Sequence, residues 1–246
     1  MSHVWSPAPT VLALASDAVH VWRVPLTLPA TSIQSLQRLL SPDELDRAAR
    51  FHFETDRRRF MIARGVLRGI LSRYLGLEPC QLRFCYSHYG KPALAPACGP
   101  GQLRFNLSHA HELALYAITC DREVGIDVEY LRTNFAYEEV AARFFSAREN
   151  ATLRTLPPHL RYQAFFTCWT RKEAYIKAHG EGLSLPLEQF DVSLTPGAPA
   201  ALLATRHNPL EASRWSLQDL QPGSGYVAAL AAEGHGWRLA CWQWAA

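Results

Sequence analysis

Between residues 57 and 75, apolar side chains recur every three or four positions: Phe60, Ala63, Val66, Leu67, Ile70, Leu71 and Leu75. A helix turns through about 100° per residue, so this spacing lays them along one buried stripe. Arg57, Arg58, Arg59, Arg64 and Arg68 fall mostly off it. The start signal lies upstream, at Ser41-Pro42-Asp43-Glu44. Ser41 can cap, Pro42 suits the first helical position, and Glu44 completes a capping box. Helix is expected from there to residue 75, with a break allowed near Glu54-Thr55; Gly76 and Pro79 stop it.

Elsewhere the period changes to two, the spacing of a half-buried strand. Strands are expected at 19–26, where Val19, Val21 and Val24 stand among polar or aromatic neighbours, and through Leu82, Phe84 and Tyr86. Three more follow, through Leu103, Phe105 and Leu107, over 113–118, and through Val124, Ile126 and Val128. Turn chemistry separates them at 89–92, 98–101 and 121–122. A second helical block covers 137–156, is punctuated by Pro157-Pro158, resumes over 159–178 and ends at Gly180. Further strands are expected at 190–194, 213–217, 226–231 and 237–244, and residues 1–40 outside the first strand read as irregular. Helices and antiparallel strands kept apart in this way indicate an α+β fold. The coarse pattern occurs twice, in 1–125 and in 126–246.

A chain of 246 residues, 48% hydrophobic and 19% charged, can bury roughly 70–75% of its unfolded surface and needs no disulfide staples. Aromatic residues at 11% argue against disorder. No apolar run approaches the roughly 20 residues that span a bilayer, and the N-terminus has no secretory pattern. A cytoplasmic protein with no membrane partner is expected. Six scattered cysteines form no C-x-x-C pair, which favours free thiols over structural zinc. A net charge of +3 is too small to imply nucleic acid. Of 25 basic residues only Lys91, Lys172 and Lys177 are lysines, so an ammonium at those places suggests a geometric need.

Three stretches could carry chemistry. In Gly125-Ile126-Asp127-Val128-Glu129, the two acids share one strand face while Ile126 and Val128 enter the core. They are either a solvated strand face or the ligands of a hard cation such as Mg²⁺. Trp169, Glu173 and Lys177, spaced by four, stack along one helix face. A surface ion pair would explain them too, but the neighbouring Phe165, Phe166 and Trp169 indicate a half-buried helix, where an unpaired Glu is costly. Asn106, Ser108 and His109, with Lys91 in Gly90-Lys91-Pro92, offer the donors a phosphate cradle uses. Ser108 and His109 are adjacent on a strand and point to opposite faces, so they do not make a nucleophile–base pair.

In order along the chain, G-K-P at 90–92, F-N-x-S-H at 105–109, G-I-D-x-E at 125–129 and W-x-x-K-E-A-x-x-K-x-x-G-x-G-L at 169–183 closely resemble the Sfp-type 4′-phosphopantetheinyl transferases. The resemblance spans about residues 41–187 and includes all three lysines. It implies a pseudo-dimer of two similar halves, each a small antiparallel sheet with a long helix, with coenzyme A in the cleft between them. By position, Asp127, Glu129 and Glu173 resemble the Mg²⁺ ligands, and Lys177 the lysine beside the reacting phosphate. Asn106, Ser108 and His109 resemble nucleotide and pyrophosphate contacts. Lys91 resembles a lysine near the adenosine, and Arg47 a contact to the 3′-phosphate. Where some relatives carry a second basic residue, this chain has Glu44, so the 3′-phosphate would lean on Arg47 and Arg64.

The implied reaction transfers the 4′-phosphopantetheine arm of coenzyme A to a serine of an apo acyl carrier protein, or of a peptidyl or polyketide carrier domain, releasing 3′,5′-ADP. Glu173, or a metal-bound hydroxide that it orients, would be the base, and Lys177 would stabilise developing charge. A monomer is expected. Arg132, Arg143 and Arg148 around Phe144-Phe145 suggest a basic and apolar docking edge for an acidic carrier. Two other readings compete: a non-catalytic coenzyme A or nucleotide-binding module, and a metal-dependent nuclease using the acids with Arg57-Arg58-Arg59.

Overall fold

The computed structural model describes residues 3–99, 103–132 and 135–245; the expected turn residues Pro100 and Gly101 lie outside them. The chain opens with β1 (Ser6–Pro7), β2 (Ala18–Pro25), α1 (Ala30–Gln37), α2 (Pro42–Ala49) and the 22-residue α3 (Glu54–Leu75). A small hairpin, β3 (Phe84–Tyr86) and β4 (Pro92–Leu94), precedes β5 (Leu103–Ala110), β6 (Leu113–Cys120) and β7 (Val124–Tyr130). Next come α4 (Tyr137–Phe144), α5 (Ala147–Thr155) and α6 (Pro158–His179), also of 22 residues. The chain continues with β8 (Phe190–Val192), β9 (Leu202–Thr205), β10 (Trp215–Leu220), β11 (Tyr226–Glu233) and β12 (Arg238–Gln243).

Two main sheets result, with strand orders β1-β12-β2-β6-β5 and β10-β11-β7. Alternation sorts their side chains into layers. In β6, Ala114, Tyr116 and Ile118 pack against Val66, Leu67 and Ile70 of α3, whereas Leu115 and Ala117 face the other sheet. In the second sheet, Ile126, Val128, Ala228 and Leu230 meet that face, while Ala229 and Ala231 turn toward Ala174 and Ala178 of α6. The order is helix, sheet, sheet, helix. It is an α+β architecture of two similar halves. The two long helices end alike, at Gly76 and Gly180, each in the left-handed region (φ 65° and 89°) that glycine adopts without steric cost.

The break near residue 54 is present, and the capping-box start at Pro42 and both glycine stops coincide with the expected positions. Several elements differ. Strand β1 falls in the stretch that read as irregular, and the helical block expected over 137–156 divides at Phe145-Ser146, where Ser146 caps a new helix. Helix α1 forms within a stretch that read as irregular: only Ile33 and Leu36 mark its apolar side, and it docks where Gly65 opens a gap in α3. A Cβ at Gly65 would lie 2.8 Å from Leu36 Cβ, so tertiary fit supplies what periodicity did not. Strands β4 and β9 are too short to show a period, and the strand expected from 213 starts at Trp215, after a 3₁₀ turn capped by Asn208. A cut after residue 125 would fall within β7. In addition, β12 crosses back to pair in parallel with β2, Cys241 opposite Val21, so the last strand joins the first half's sheet.

Candidate active site

The inter-sheet layer takes Val124, Ile126 and Val128, so Gly125, Asp127 and Glu129 face α6. Gly125 lets that helix approach closely: a Cβ there would lie 2.1 Å from the Ala174 carbonyl oxygen and 2.3 Å from the Ala178 nitrogen. Glu173 and Lys177, each one residue before those contacts, are thereby held beside the strand's acids. Lys177 Nζ donates to Asp127 Oδ1 at 2.6 Å and to Ser108 Oγ at 3.0 Å. Ser108 Oγ donates to the same carboxylate oxygen at 2.9 Å and accepts from the Val128 N–H at 3.4 Å.

Asp127 is 3% exposed, and its second oxygen, Oδ2, is buried without a hydrogen-bond partner. Burial, and then the Asp127 charge, push the Glu173 carboxyl up to about 7, with Lys177 acting against the rise. Glu129 is raised for the same two reasons in the same order. Three carboxylates thus share one ammonium. Among the described residues, no group of three or more His, Cys, Asp or Glu is gathered closely enough to hold a metal ion. Lys177 occupies one oxygen of Asp127.

Strands β5 and β7 are the facing edges of the two sheets, and side chains join them where no ladder does. Asn106 Oδ1 accepts from the Ile126 N–H at 2.9 Å, one pleat from the Ser108 contact. Asn106 and Ser108 therefore face β7 and the acids. His109 faces the opposite way, into a cavity of about 460 Å³ lined by Arg47, Arg59, Phe60, Arg64 and Tyr86 among others. The surrounding walls, and then the charges of Lys177 and Arg59, hold its imidazole below the usual histidine range. The tip of β5 thus separates an acid cluster from a cation-lined cavity.

Arg47 lies over the Phe60 ring, 5.5 Å from its centroid. Arg64 Nε stands 2.6 Å from Glu44 Oε1, and its amine donates to the Tyr86 hydroxyl. Lys91 donates to Glu123 Oε2 and to the Ala178 carbonyl, both at 2.9 Å, which ties the hairpin turn to the end of α6. Lys172, fully buried, binds the Leu187 and Phe190 carbonyls at 2.7 Å and pairs with Glu149 at 2.8 Å, a role in the fold. Sequence reasoning passed over Tyr86, Arg59 and Phe60 as cavity residues, since strand and helix periodicity account for Tyr86 and Phe60 without a cavity. Of the apolar pair in the expected docking edge, Phe145 is buried and Phe144 only partly exposed. Phe145 is 4% exposed and stacks on Phe165 at 5.2 Å, which leaves Arg143 lying over Phe144 at the surface.

The model of the 4′-phosphopantetheinyl transferase superfamily matches residues 123–231, and that of the 4′-phosphopantetheinyl transferase N-terminal region matches 29–121. The chain is 46% identical over 244 residues to the 4′-phosphopantetheinyl transferase HetI of Nostoc, covering 99% of this chain and 100% of that one. The chain belongs to the Sfp-type 4′-phosphopantetheinyl transferases. The transferase Sfp of Bacillus subtilis is 31% identical over 69% of this chain and 74% of its own. Holo-[acyl-carrier-protein] synthase of Thermotoga maritima shares 22% identity over 46% of this chain and 62% of its own, with a TM-score of 0.34.

A phosphopantetheinyl transferase is an enzyme, and neither competing reading finds support here. This transferase retains all three acids and Lys177. Its Arg57 and Arg58 pair with Glu54 on the exposed start of α3 instead of joining the acid cluster.

Proposed function

We propose that this transferase binds coenzyme A with its nucleotide end in the Arg47–Arg64 cavity and its pyrophosphate at the tip of β5, and passes the phosphopantetheine arm to a carrier serine at the acid cluster. The observation that carries this reading is the arrangement around β5: Ser108 faces the acids on one side, and His109 faces the cavity on the other. A diphosphate crossing the strand tip would meet both. Arg47 and Arg64 would take the 3′-phosphate, Asn106 would fix the strand tip through Ile126, and Lys91 would set the hairpin turn against α6.

The unpartnered Asp127 Oδ2 and the raised carboxyls of Glu129 and Glu173 are hard oxygen donors short of positive charge, a set that suits Mg²⁺. Asp127, Glu129 and Glu173 would hold it, and when bound it supplies a Lewis acid for the pyrophosphate. Lys177 stabilises charge on the leaving phosphate, since its ammonium already lies within the cluster. Glu173, which faces the cluster from α6, is the group on this chain suited to take the serine proton, directly or through a water that it orients. The acceptors would be acyl, peptidyl or polyketide carrier proteins. A monomer in the reducing cytoplasm suits two exposed free thiols, Cys80 and Cys85.

Incubation with coenzyme A, Mg²⁺ and a panel of apo carriers, read by intact mass, tests the reading. A phosphopantetheine increment on a carrier serine is expected, and Asp127→Ala should lower the rate by at least about two orders of magnitude while the protein stays folded. Near-wild-type turnover of that variant at saturating Mg²⁺ would remove Asp127 from the metal set.

A further inference from the structure

Glu44 is the least exposed carboxylate of the first half, at 2%, and groups from the start of its own helix and from α3 converge on it. Its Oε2 accepts from the Ser41 N–H at 2.9 Å and from Arg68 Nε at 2.7 Å, while Oε1 stands 2.6 Å from Arg64 Nε. Helix initiation requires only the first of these contacts. The other two reach across to α3, and each is passed onward. Arg68 donates to the Pro79 and Leu82 carbonyls at 2.7 and 3.1 Å, which fixes the segment leading into β3. Arg64 donates to the hydroxyl of Tyr86, at the end of β3.

The elements joined in this way are the walls of the cavity. Helix α2 brings Arg47, α3 brings Arg59 and Arg64, and the hairpin brings Tyr86. Arg68, hydrogen-bonded through Nε to the carboxylate, keeps its plane fixed, while Arg64 is drawn to the same carboxylate by charge and anchored by its amine on Tyr86. Two arginines drawn to one buried carboxylate would repel each other and swing apart without it.

We propose that Glu44 is a positioning residue for donor recognition. Through Arg64 and Arg68 it holds the cavity's cationic wall in the geometry that selects a ligand ending in a phosphomonoester. This rests on the reading of the cavity as the nucleotide site. Glu44 itself would touch no ligand. Its negative charge, unfavourable near a phosphate if it were free, is neutralised by the two arginines it orients.

The test compares coenzyme A with 3′-dephospho-coenzyme A as donors for wild type and for Glu44→Gln. The amide keeps the shape and can still accept from Ser41, but it no longer holds two guanidiniums. KM for coenzyme A should rise about tenfold with kcat within about twofold, the lower end of a charge-assisted contact. KM for the dephospho donor should stay unchanged. Equal losses for both donors, or no loss for either, would overturn the proposal in favour of a purely structural role. Tighter binding of coenzyme A would overturn it as well, by showing Glu44 to be a brake on the arginines. If Glu44→Gln does not fold, Tyr86→Phe decides, since it removes only the hydroxyl that takes the Arg64 amine. A two- to threefold loss of preference for coenzyme A supports positioning, and an unchanged preference overturns it. Failure of the cavity reading looks different: wild type itself would then show no preference between the two donors.

Discussion

Histidine 20 shows how far one side chain can be read from its surroundings. It lies on β2 and is 6% exposed, with Nδ1 2.8 Å from the Tyr74 hydroxyl, which also accepts from the Trp22 indole at 3.0 Å. With the phenol O–H donating to an unprotonated Nδ1, all three groups are satisfied and the imidazole is neutral. Burial lowers its pKa to about 4. The unfolded chain takes up a proton near pH 6.5 and the folded protein does not, so this contribution to stability is fully present above 6.5. It is lost as the pH falls toward 4. His20→Gln cannot titrate. It should cost about 1 kcal/mol at pH 7.5 for the lost bond; because the wild type gives up about 1.4 kcal/mol per pH unit below 6.5, the gap should close at about pH 6 and be reversed by about pH 4.5. Urea midpoints for both proteins across that range measure it. A constant gap would mean that His20 is not held neutral by the fold.

At the scale of elements, the spacing between β7 and α6 decides the chemistry, and Gly125 sets that spacing. The atoms that a Cβ at 125 would strike belong to the α6 backbone and cannot rotate away. Gly125→Ala should therefore push the helix outward, carrying Glu173 and Lys177 from Asp127. A stability loss of about 1–3 kcal/mol is expected from overpacking, and transfer activity should fall by more than that loss explains, since small misplacements of reacting groups cost about a hundredfold. Turnover measured well below the variant's melting temperature separates the two effects; wild-type turnover there would mean that the close approach does not position the acids. The sequence made the acids legible, because period two on a strand and spacing by four on a helix each assign a face. It left Gly125 unread: a glycine inside a strand says only that something comes near. Lys91 and Lys172 were marked by their rarity against 22 arginines, yet their roles in tying hairpin to helix and helix to loop depend on carbonyls that no periodicity reports.

The whole molecule explains why two similar halves need not be two independent domains. Leu115 and Ala117 of the first sheet share one apolar layer with Ile126, Val128 and Leu230 of the second, and the tip of β5 is bonded to β7 by Asn106 and Ser108. The last strand belongs to the first sheet, where β12 lies between β1 and β2. A repeat visible along the chain reports local patterns of helix and strand. It cannot report that one strand returns across more than two hundred residues, because parallel pairing with β2 leaves no mark on the spacing within β12. This topology makes a fragment of residues 1–125 a poor folding unit. It would lack β12 and so expose an unpaired edge of β2, it would end inside β7, and the apolar face carrying Val19, Val21 and Leu115 would be open to water. The intact chain should unfold in one cooperative transition, with near-ultraviolet and far-ultraviolet dichroism coincident in denaturant. The isolated fragment should show helical far-ultraviolet signal without fixed aromatic dichroism, and it should bind a hydrophobic dye. A fragment with dispersed amide resonances and its own cooperative melt would establish 1–125 as a domain and reduce β12 to an accessory strand.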